Sequence, residues 1–153
     1  MNAKKKLLSG LLTAGLLLNL LPMTAMAASV ETCEDAGCTH AAAVGTTHFD
    51  TVQEAVNSEN AETVTLLKNT SEDVTISDGK NIVLDLDGHT LTNNASHTIV
   101  NNGTLTICGD GVVDNVTHGK AALYNNGVCT IENGTFSRSQ EASTSTSDSG
   151  SNS

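Results

Sequence analysis

Aromatic and basic side chains are scarce in this sequence of 153 residues. It has no tryptophan, one tyrosine (Tyr124) and two phenylalanines (Phe49 and Phe136), which argues against a sugar-binding platform of stacked aromatic rings. Lys and Arg number 7, against 17 Asp and Glu. Because phosphate contacts need clustered Lys and Arg, this balance argues against nucleic acid and anionic membrane surfaces as partners. It favours solubility outside the cell.

Residues 1–27 have the three parts of a secretory signal peptide. Three lysines at residues 4–6 precede an apolar stretch at residues 7–21, and Ala25-Met26-Ala27 supplies the small-x-small cleavage pattern. The apolar stretch is about 15 residues long, shorter than the roughly 20 that span a bilayer. We therefore expect cleavage after Ala27, a secreted or cell-surface location, and no stable membrane insertion of the mature chain.

Hydrophobic periodicity changes once along the mature chain. Residues 50–57, "DTVQEAVN", predict a short amphipathic helix that Asp50 or Thr51 caps. After it the period becomes two, in runs rich in Val, Ile, Leu and Thr. Short strands are predicted at residues 63–67, 73–76, 81–86, 89–92, 98–100, 104–107, 111–113 and 128–131. Asx-Gly turn signals separate many of them, at residues 78–79, 87–88, 102–103, 110–111, 126–127 and 133–134.

An internal repeat decides how these strands pair. The stretch "IVNNGTLTI" at residues 99–107 returns as "LYNNGVCTI" at residues 123–131, and comparable strands centre near residues 66, 84, 105 and 129. Repeats of roughly 20–25 residues built from short strands indicate a solenoid rather than the antiparallel hairpins that Asn-Gly turns usually form. The alternative is an antiparallel β-sandwich with coincidental Asn-Gly hairpins.

A parallel β-helix places equivalent residues of successive coils on top of one another. Leu105 is then expected under Cys129, and Ile107 under Ile131, all pointing inward, with Cys108 pointing outward. The paired asparagines of the repeated turn are expected to form amide ladders, Asn101 with Asn125 and Asn102 with Asn126.

Several segments resemble a known family. "LDLDGHTLTNN", "IVNNGTLTI", "GDGVVDN" and "LYNNGVCTIENGTF" resemble the right-handed β-helix (pectin-lyase-like) repeats of large secreted bacterial surface proteins, and "HFDTVQEAV" entering "TVTLL" is similar to their N-terminal cap. The resemblance covers about residues 48–138. It implies an all-β, short right-handed parallel β-helix of three to four coils. Domains of this family belong to adhesins, to other cell-surface proteins or to polysaccharide-degrading enzymes.

These patterns divide the chain into four parts. A signal peptide at residues 1–27 precedes a Cys- and His-containing segment at residues 28–47, the β-helix domain at residues 48–138, and a disordered Ser- and Thr-rich tail or linker at residues 139–153. A polar tail does not cover the last coil, and terminal repeats need capping. We therefore expect a fragment of a longer protein, with self-association at an open C-terminal coil.

The stretch "CEDAGCTH" at residues 33–40 is the most pointed chemical motif. Cys33, Cys38, His40 and His48 have residue types that bind tetrahedral zinc. A secreted protein favours a Cys33–Cys38 disulfide instead, and free thiols are the third alternative. The spacing of the two cysteines is compatible with both the metal and the disulfide.

Acidic side chains raise the question of catalysis. Asp85, Asp87, Asp110 and Asp114 suggest a calcium or lyase site, but calcium needs six to eight converging oxygens and no basic residue stands out as a proton acceptor. We assign no catalytic residue and no cofactor. The expected function is a non-catalytic structural or adhesion-type module whose partner is a surface glycan or a host or cell-surface protein. The alternative is a truncated polysaccharide lyase or glycoside hydrolase.

Overall fold

The computed structural model of the protein describes residues 38–140. These residues form a parallel β-solenoid of about three turns. They contain the helix α1 (Val52–Asn57) and thirteen strands: β1 (Ala42–Val44), β2 (Thr47–Phe49), β3 (Thr63–Leu66), β4 (Thr70–Ser71), β5 (Val74–Ile76), β6 (Asn81–Asp85), β7 (Thr90–Thr92), β8 (Ile99–Asn101), β9 (Thr104–Cys108), β10 (Val112–Asp114), β11 (Leu123–Asn125), β12 (Val128–Ile131) and β13 (Thr135–Ser137). No helix within residues 38–140 is long and apolar enough to cross a bilayer.

Each coil supplies one strand to each of three sheets. The sheet orders are β12-β9-β6-β3-β1-β2, β13-β10-β7-β4 and β11-β8-β5. Strands from successive coils pair in parallel, whereas β1 pairs antiparallel with both β2 and β3. The predicted parallel β-helix is confirmed, and the alternative of an antiparallel sandwich is wrong. Three coils have all three strands, and β12 and β13 begin a fourth.

The core is a stack of alternate residues from each coil. Ile82 and Leu84 in β6 lie beside Leu105 and Ile107 in β9, and all four are fully buried. The period of two in these strands therefore fixes which side chains point inward, as predicted. Thr106 lies between the two buried residues of β9 and is partly exposed.

The predicted stacking of the repeat is also confirmed. Leu105 pairs with Cys129 and Ile107 with Ile131. Ile131 is nevertheless 51% exposed, although it continues the inward row of Ile107. The reason is position in the solenoid, because β12 is the last strand of its sheet in the part of the chain that the structure describes.

The turns between coils carry the predicted asparagine ladders. Asn101 Nδ2 donates to Asn125 Oδ1 at 2.7 Å, and Asn126 Nδ2 donates to Asn102 Oδ1 at 2.9 Å. Gly103, the glycine of this turn, does not have the positive φ that an Asn-Gly turn suggests. Glycine fits this position because the backbone of the preceding turn lies very close. A Cβ on Gly103 would lie 2.5 Å from the carbonyl oxygen of Ser77 and 2.6 Å from that of Lys80.

Helix α1 covers the first coil. The Thr51 side chain accepts a hydrogen bond from the Glu54 backbone N–H at 3.1 Å, which caps the N-terminus of the helix. The stripe of Val52, Ala55 and Val56 is buried, and the helix packs against β1, β2, β3 and β5. The predicted cap helix is therefore confirmed, beginning at Val52 rather than at residue 50.

Several strands were not predicted. The sequence indicated no regular element between residues 31 and 47, yet β1 and β2 form a hairpin there, and β1 joins the main sheet beside β3. The sheet therefore begins ahead of the predicted domain boundary at residue 48. Strands β4, β11 and β13 were also missed. Each has two or three residues, too few for a period to be visible.

Some predictions fall on residues outside the described range. They are the signal peptide at residues 1–27, Cys33, and the part of the predicted tail at residues 141–153. Of the predicted tail, only Ser139 and Gln140 are described, and both are helical.

Candidate functional site

The β1–β2 hairpin brings one cysteine and two histidines together. Cys38 and His40 precede β1, and His48 lies in β2 opposite Ala43. The chain reverses between the two strands at Gly45, whose φ of 58° suits a residue without a Cβ. This reversal places His48 beside Cys38, ten positions earlier in the chain.

The three side chains meet at the cysteine sulfur. Cys38 Sγ lies 3.3 Å from His40 Nδ1 and 3.4 Å from His48 Nδ1. The two imidazole rings are edge-to-face, with centroids 5.6 Å apart. One donor atom from each residue lies within 4.8 Å of the other two, and all three residues are half-buried. A thiol has one hydrogen and can donate to only one of the two imidazole nitrogens, whereas a ring N–H can donate to the sulfur, so the tautomer of each histidine decides the direction of its bond.

A carboxylate lies behind His40. Its second ring nitrogen, Nε2, is 3.7 Å from Asp50 Oδ1. This separation is longer than a hydrogen bond but within the range of an ion pair. The Asp50 side chain is 82% exposed, whereas that of His40 is 17% exposed. The carboxylate therefore faces His40 from the solvent side of the cluster.

Backbone contacts hold this cluster against the solenoid. Leu67 N–H donates to the Ala41 carbonyl at 2.9 Å, and Ala41 N–H donates to the Phe49 carbonyl at 2.9 Å. The Lys68 ammonium also donates to the carbonyl of Thr39, between Cys38 and His40. The positions of Cys38, His40 and His48 are thus set by sheet pairing.

The structure brings together three of the four proposed zinc ligands. Cys38, His40 and His48 converge, and they are the one group of three or more His, Cys, Asp or Glu residues within residues 38–140 that does so. Cys33 lies outside the described residues. The zinc site and the Cys33–Cys38 disulfide both stay predictions.

The four aspartates proposed for calcium do not form one site. Asp85 Oδ1 accepts from the Asp87 backbone N–H at 3.1 Å, and Asp110 Oδ1 accepts from Asn133 Nδ2 at 2.8 Å. Asp114 binds two serines at the end of the solenoid. Across residues 38–140, no three acidic side chains converge. The carboxylates of Asp85 and Asp110 therefore accept hydrogen bonds from turn residues, and that of Asp114 accepts them from Ser137 and Ser139.

Asp114 has a structural role that the sequence did not indicate. Its carboxylate accepts from Ser137 Oγ at 2.6 Å, from Ser139 Oγ at 2.6 Å and from the Ser139 backbone N–H at 2.9 Å. Burial acts to raise the pKa of this carboxyl, but the hydrogen bonds from Ser137 and Ser139 outweigh it and hold the pKa below its ordinary value. Asp114 thereby fastens the end of β13 to β10.

The two ends of the solenoid differ. At the first coil, the Gln53 side chain of α1 donates to the Thr75 carbonyl at 3.0 Å and accepts from the Thr75 N–H at 2.7 Å, so it pairs with the edge of β5. At the other end, β11 of the third coil and β12 and β13 of the fourth are edge strands of the described sheets. Val128 there is 63% exposed and Tyr124 48%. We call β11, β12 and β13 the open coil.

Comparison with known proteins returned no match. The chain matches no protein-family model, no curated protein and no solved structure. The fold is therefore established by the strand pairing itself.

Proposed function

We propose that this chain is a non-catalytic structural module of the cell exterior, of adhesion type, that joins other chains through its open coil. The observation that carries the proposal is a contrast within residues 38–140: the chain covers edges of β3 and β5 in the first coil, and it leaves β11, β12 and β13 as edge strands. The signal-peptide pattern at residues 1–27 and the resemblance to pectin-lyase-like repeats of secreted bacterial surface proteins support an extracellular location.

At the covered end, the outer edges of β3 and β5, two of the three strands of the first coil, are occupied. β1 occupies the edge of β3, and the Gln53 amide occupies backbone groups of β5. Glu72 carboxylate oxygens accept from the Val52 and Gln53 backbone N–H groups at 2.8 and 3.2 Å, which fixes α1 over this coil. Native sheets protect their edges in this way because unpaired N–H and C=O groups recruit other strands.

The open coil has the opposite character. Its strands pair on one side only within the described chain, and it carries exposed apolar side chains: Tyr124, Val128 and Ile131. Strand addition at such an edge supplies main-chain hydrogen bonds, and the apolar side chains supply burial. The binding partner we propose is a second copy of the chain. Two identical open coils have the same strand spacing, and a two-fold axis between them gives a closed dimer.

An enzymatic function, a truncated polysaccharide lyase or glycoside hydrolase, has less support. Glycoside hydrolysis needs two carboxyl groups that flank one bond. Asp85 and Asp110 instead bind the chain's own turns. The proposal of a structural module needs no such pair.

Light scattering of the mature chain, residues 28–153, over a wide range of concentration tests the proposal. We expect a concentration-dependent dimer. Val128→Lys should make the protein monomeric, because a lysine on an edge strand opposes further pairing. Thr104→Lys is the matched control. Thr104 is exposed and holds the equivalent position one coil earlier, where it pairs with Val128. It should leave the assembly intact.

Two results would overturn the proposal. One is a monodisperse monomer of the unmodified chain at every concentration. The other is equal loss of assembly in both lysine variants, which would place the contact away from the open coil.

A further inference from the structure

We propose that the hairpin cluster, formed by Cys38, His40 and His48, binds a zinc ion through these three ligands alone and leaves the fourth position of the ion to water or an external ligand. All three side chains belong to the described residues, 38–140, and the inference needs no ligand from elsewhere in the chain. The cluster lies at the covered end of the solenoid, so metal binding and self-association at the open coil are separable properties.

The donor atoms have the spacing that a shared ion requires. In a tetrahedral site with Zn–S of about 2.3 Å and Zn–N of about 2.0 Å, a sulfur and a nitrogen ligand lie about 3.5 Å apart. The sulfur of Cys38 lies 3.3 Å from Nδ1 of His40 and 3.4 Å from Nδ1 of His48. Both imidazoles therefore point the same ring nitrogen at the same sulfur, at distances close to those of a filled site.

The donor types select the metal. A thiolate and two imidazoles suit zinc, whereas calcium and magnesium prefer oxygen ligands. Zinc accepts three protein ligands when water or a substrate fills the fourth position. The three side chains of the hairpin cluster therefore suffice for binding, and the ion they hold remains open to exchange of its fourth ligand.

A carboxylate supports His40 from the solvent side. Histidine ligands commonly direct their second ring nitrogen at a carboxylate, which increases the basicity of the ligand nitrogen. His40 points Nδ1 at the sulfur and Nε2 toward Asp50 Oδ1 at 3.7 Å, a distance at which the carboxylate acts through its charge. The Asp50 side chain is largely exposed and the three ligands are half-buried, so the cluster borders solvent.

Sheet pairing preorganises the ligands. His48 lies within β2, and the segment that contains His40 is tied to the solenoid through the bond from Leu67 N–H to the Ala41 carbonyl. An ion bound to the cluster links the chain ahead of β1 to β2. Metal binding should therefore stabilise the hairpin that covers the edge of β3.

The experiment uses the mature chain with Cys33→Ser, so that Cys38 cannot form a disulfide with Cys33 and the hairpin cluster alone is tested. The protein is stripped of metal and titrated with Co²⁺ and then Zn²⁺. We expect one equivalent of Co²⁺ to give the visible absorption of a tetrahedral ion with a thiolate band, and Zn²⁺ to displace it. Azide should shift the Co²⁺ bands, because it can replace water at the fourth position.

Variants on the Cys33→Ser background locate the ligands. Cys38→Ser and His48→Ala should abolish the Co²⁺ spectrum. Cys108→Ser and His118→Ala, which change the same residue types away from the hairpin, should retain it. Saturating Zn²⁺ should raise the melting temperature of the Cys33→Ser chain and leave that of its His48→Ala variant unchanged. Circular dichroism of each variant without metal checks that the solenoid is folded.

Asp50→Asn tests the support of His40. It leaves the three ligands in place, so the stoichiometry should stay at one ion while the affinity falls by about tenfold. Four results would overturn the proposal: no stoichiometric metal in the Cys33→Ser chain, unchanged binding in Cys38→Ser and His48→Ala, a Co²⁺ spectrum that azide does not alter, or Cys38 held in a disulfide in the unmodified native protein, since a zinc ligand must be a thiolate.

Discussion

At the scale of single residues, Asp114 is the clearest case of a polar group stabilised by its surroundings. It is 9% exposed at the end of β10, and a carboxylate at such a site is costly without hydrogen bonds. Three donors from Ser137 and Ser139 supply them. These donors bind the charged form of Asp114. Protonation of Asp114 should therefore weaken the attachment of β13 to β10.

Asp114 should make the protein sensitive to acid. Its pKa in the folded chain lies below the ordinary value of an aspartate, so the unfolded chain takes up the proton first as the pH falls. The stabilisation from this group is complete above the ordinary aspartate pKa of about 3.9. It is lost as the pH falls further, through the lower pKa of the folded state.

We expect Asp114→Asn to cost about 1–2 kcal/mol of unfolding free energy at neutral pH. The difference from the unmodified chain should shrink as the pH falls below the ordinary aspartate pKa of about 3.9 and through the lower pKa of the folded state, because protonation removes the charge that the serine donors bind. Urea unfolding at several pH values measures this. Asp78→Asn, at an exposed turn position, is the control and should change stability by less than about 0.5 kcal/mol. A difference between Asp114→Asn and the unmodified chain that does not vary with pH would contradict the role of the charge.

At the scale of elements, the repeated turn depends on how closely successive coils approach. Gly103 lies between β8 and β9 against the preceding turn, where the carbonyls of Ser77 and Lys80 leave no room for a Cβ. Gly79 belongs to that preceding turn, but it has open space around it and a φ of 78°. Two glycines in neighbouring turns of the same corner thus serve different purposes.

Gly103→Ala should destabilise the protein by about 1–3 kcal/mol, because the new methyl group pushes two packed turns apart. Gly79→Asn is the matched control. Asparagine tolerates positive φ, and its side chain has space, so its effect should be much smaller. Thermal unfolding followed by circular dichroism compares the two. Equal destabilisation would mean that backbone conformation, and not the close approach, makes glycine necessary in these turns.

Elements could be predicted from the sequence where side-chain alternation and turn residues agreed. β6 and β9 alternate apolar and polar residues between Asx-Gly turns, and the repeat predicted the register of β9 and β12. The centres near residues 84 and 105 were wrong as a register for β6 and β9, because Leu84 pairs with Ile107 and Ile82 with Leu105. β1 could not be found in this way, because two of its three residues are alanine and it is a strand only through pairing with β2 and β3. Tertiary context, which no local window contains, decides its conformation.

The candidate site was predictable in residue type but not in geometry. Cys38 and His40 stand out because they lie two positions apart in a short motif, but their meeting with His48 depends on the unpredicted hairpin. Asp50 appeared in the sequence as a possible helix cap, whereas Thr51 fills that role and Asp50 faces His40. Only the fold shows that Thr51 caps the helix and that its neighbour Asp50 lies beside His40.

At the scale of the whole molecule, stability should vary along the solenoid axis. Each coil contacts only its neighbours, so a coil with two neighbours is held more firmly than one with a single neighbour. β6 and β9 have paired strands on both sides, and β12 has one. The apolar residues of β6 and β9 that point inward are fully buried, whereas Ile131 of β12 is half exposed. Local opening should therefore begin at the open coil.

Native-state hydrogen exchange can measure this gradient at matched backbone bonds. Val128 N–H donates to the Gly103 carbonyl and Glu132 N–H to the Ile107 carbonyl, both at 2.9 Å, and these bonds attach β12 to β9. One coil earlier, Thr104 N–H donates to the Lys80 carbonyl at 2.9 Å. We expect Val128 and Glu132 to exchange markedly faster than Thr104 in dilute protein, because fraying of the last coil breaks their bonds without unfolding the centre.

The same amides report separately on events at the two ends. Self-association at the open coil should slow exchange at Val128 and Glu132 as the protein concentration rises, and should leave the hairpin unchanged. Exchange at Ala41 and Leu67, whose N–H groups tie the hairpin together and to the solenoid, should not depend on the protein concentration. Uniform exchange along the chain would contradict the gradient, since it would mean that the coils open as one cooperative unit. Cooperative opening of all coils would require the open coil to be held as firmly as a coil that has neighbours on both sides.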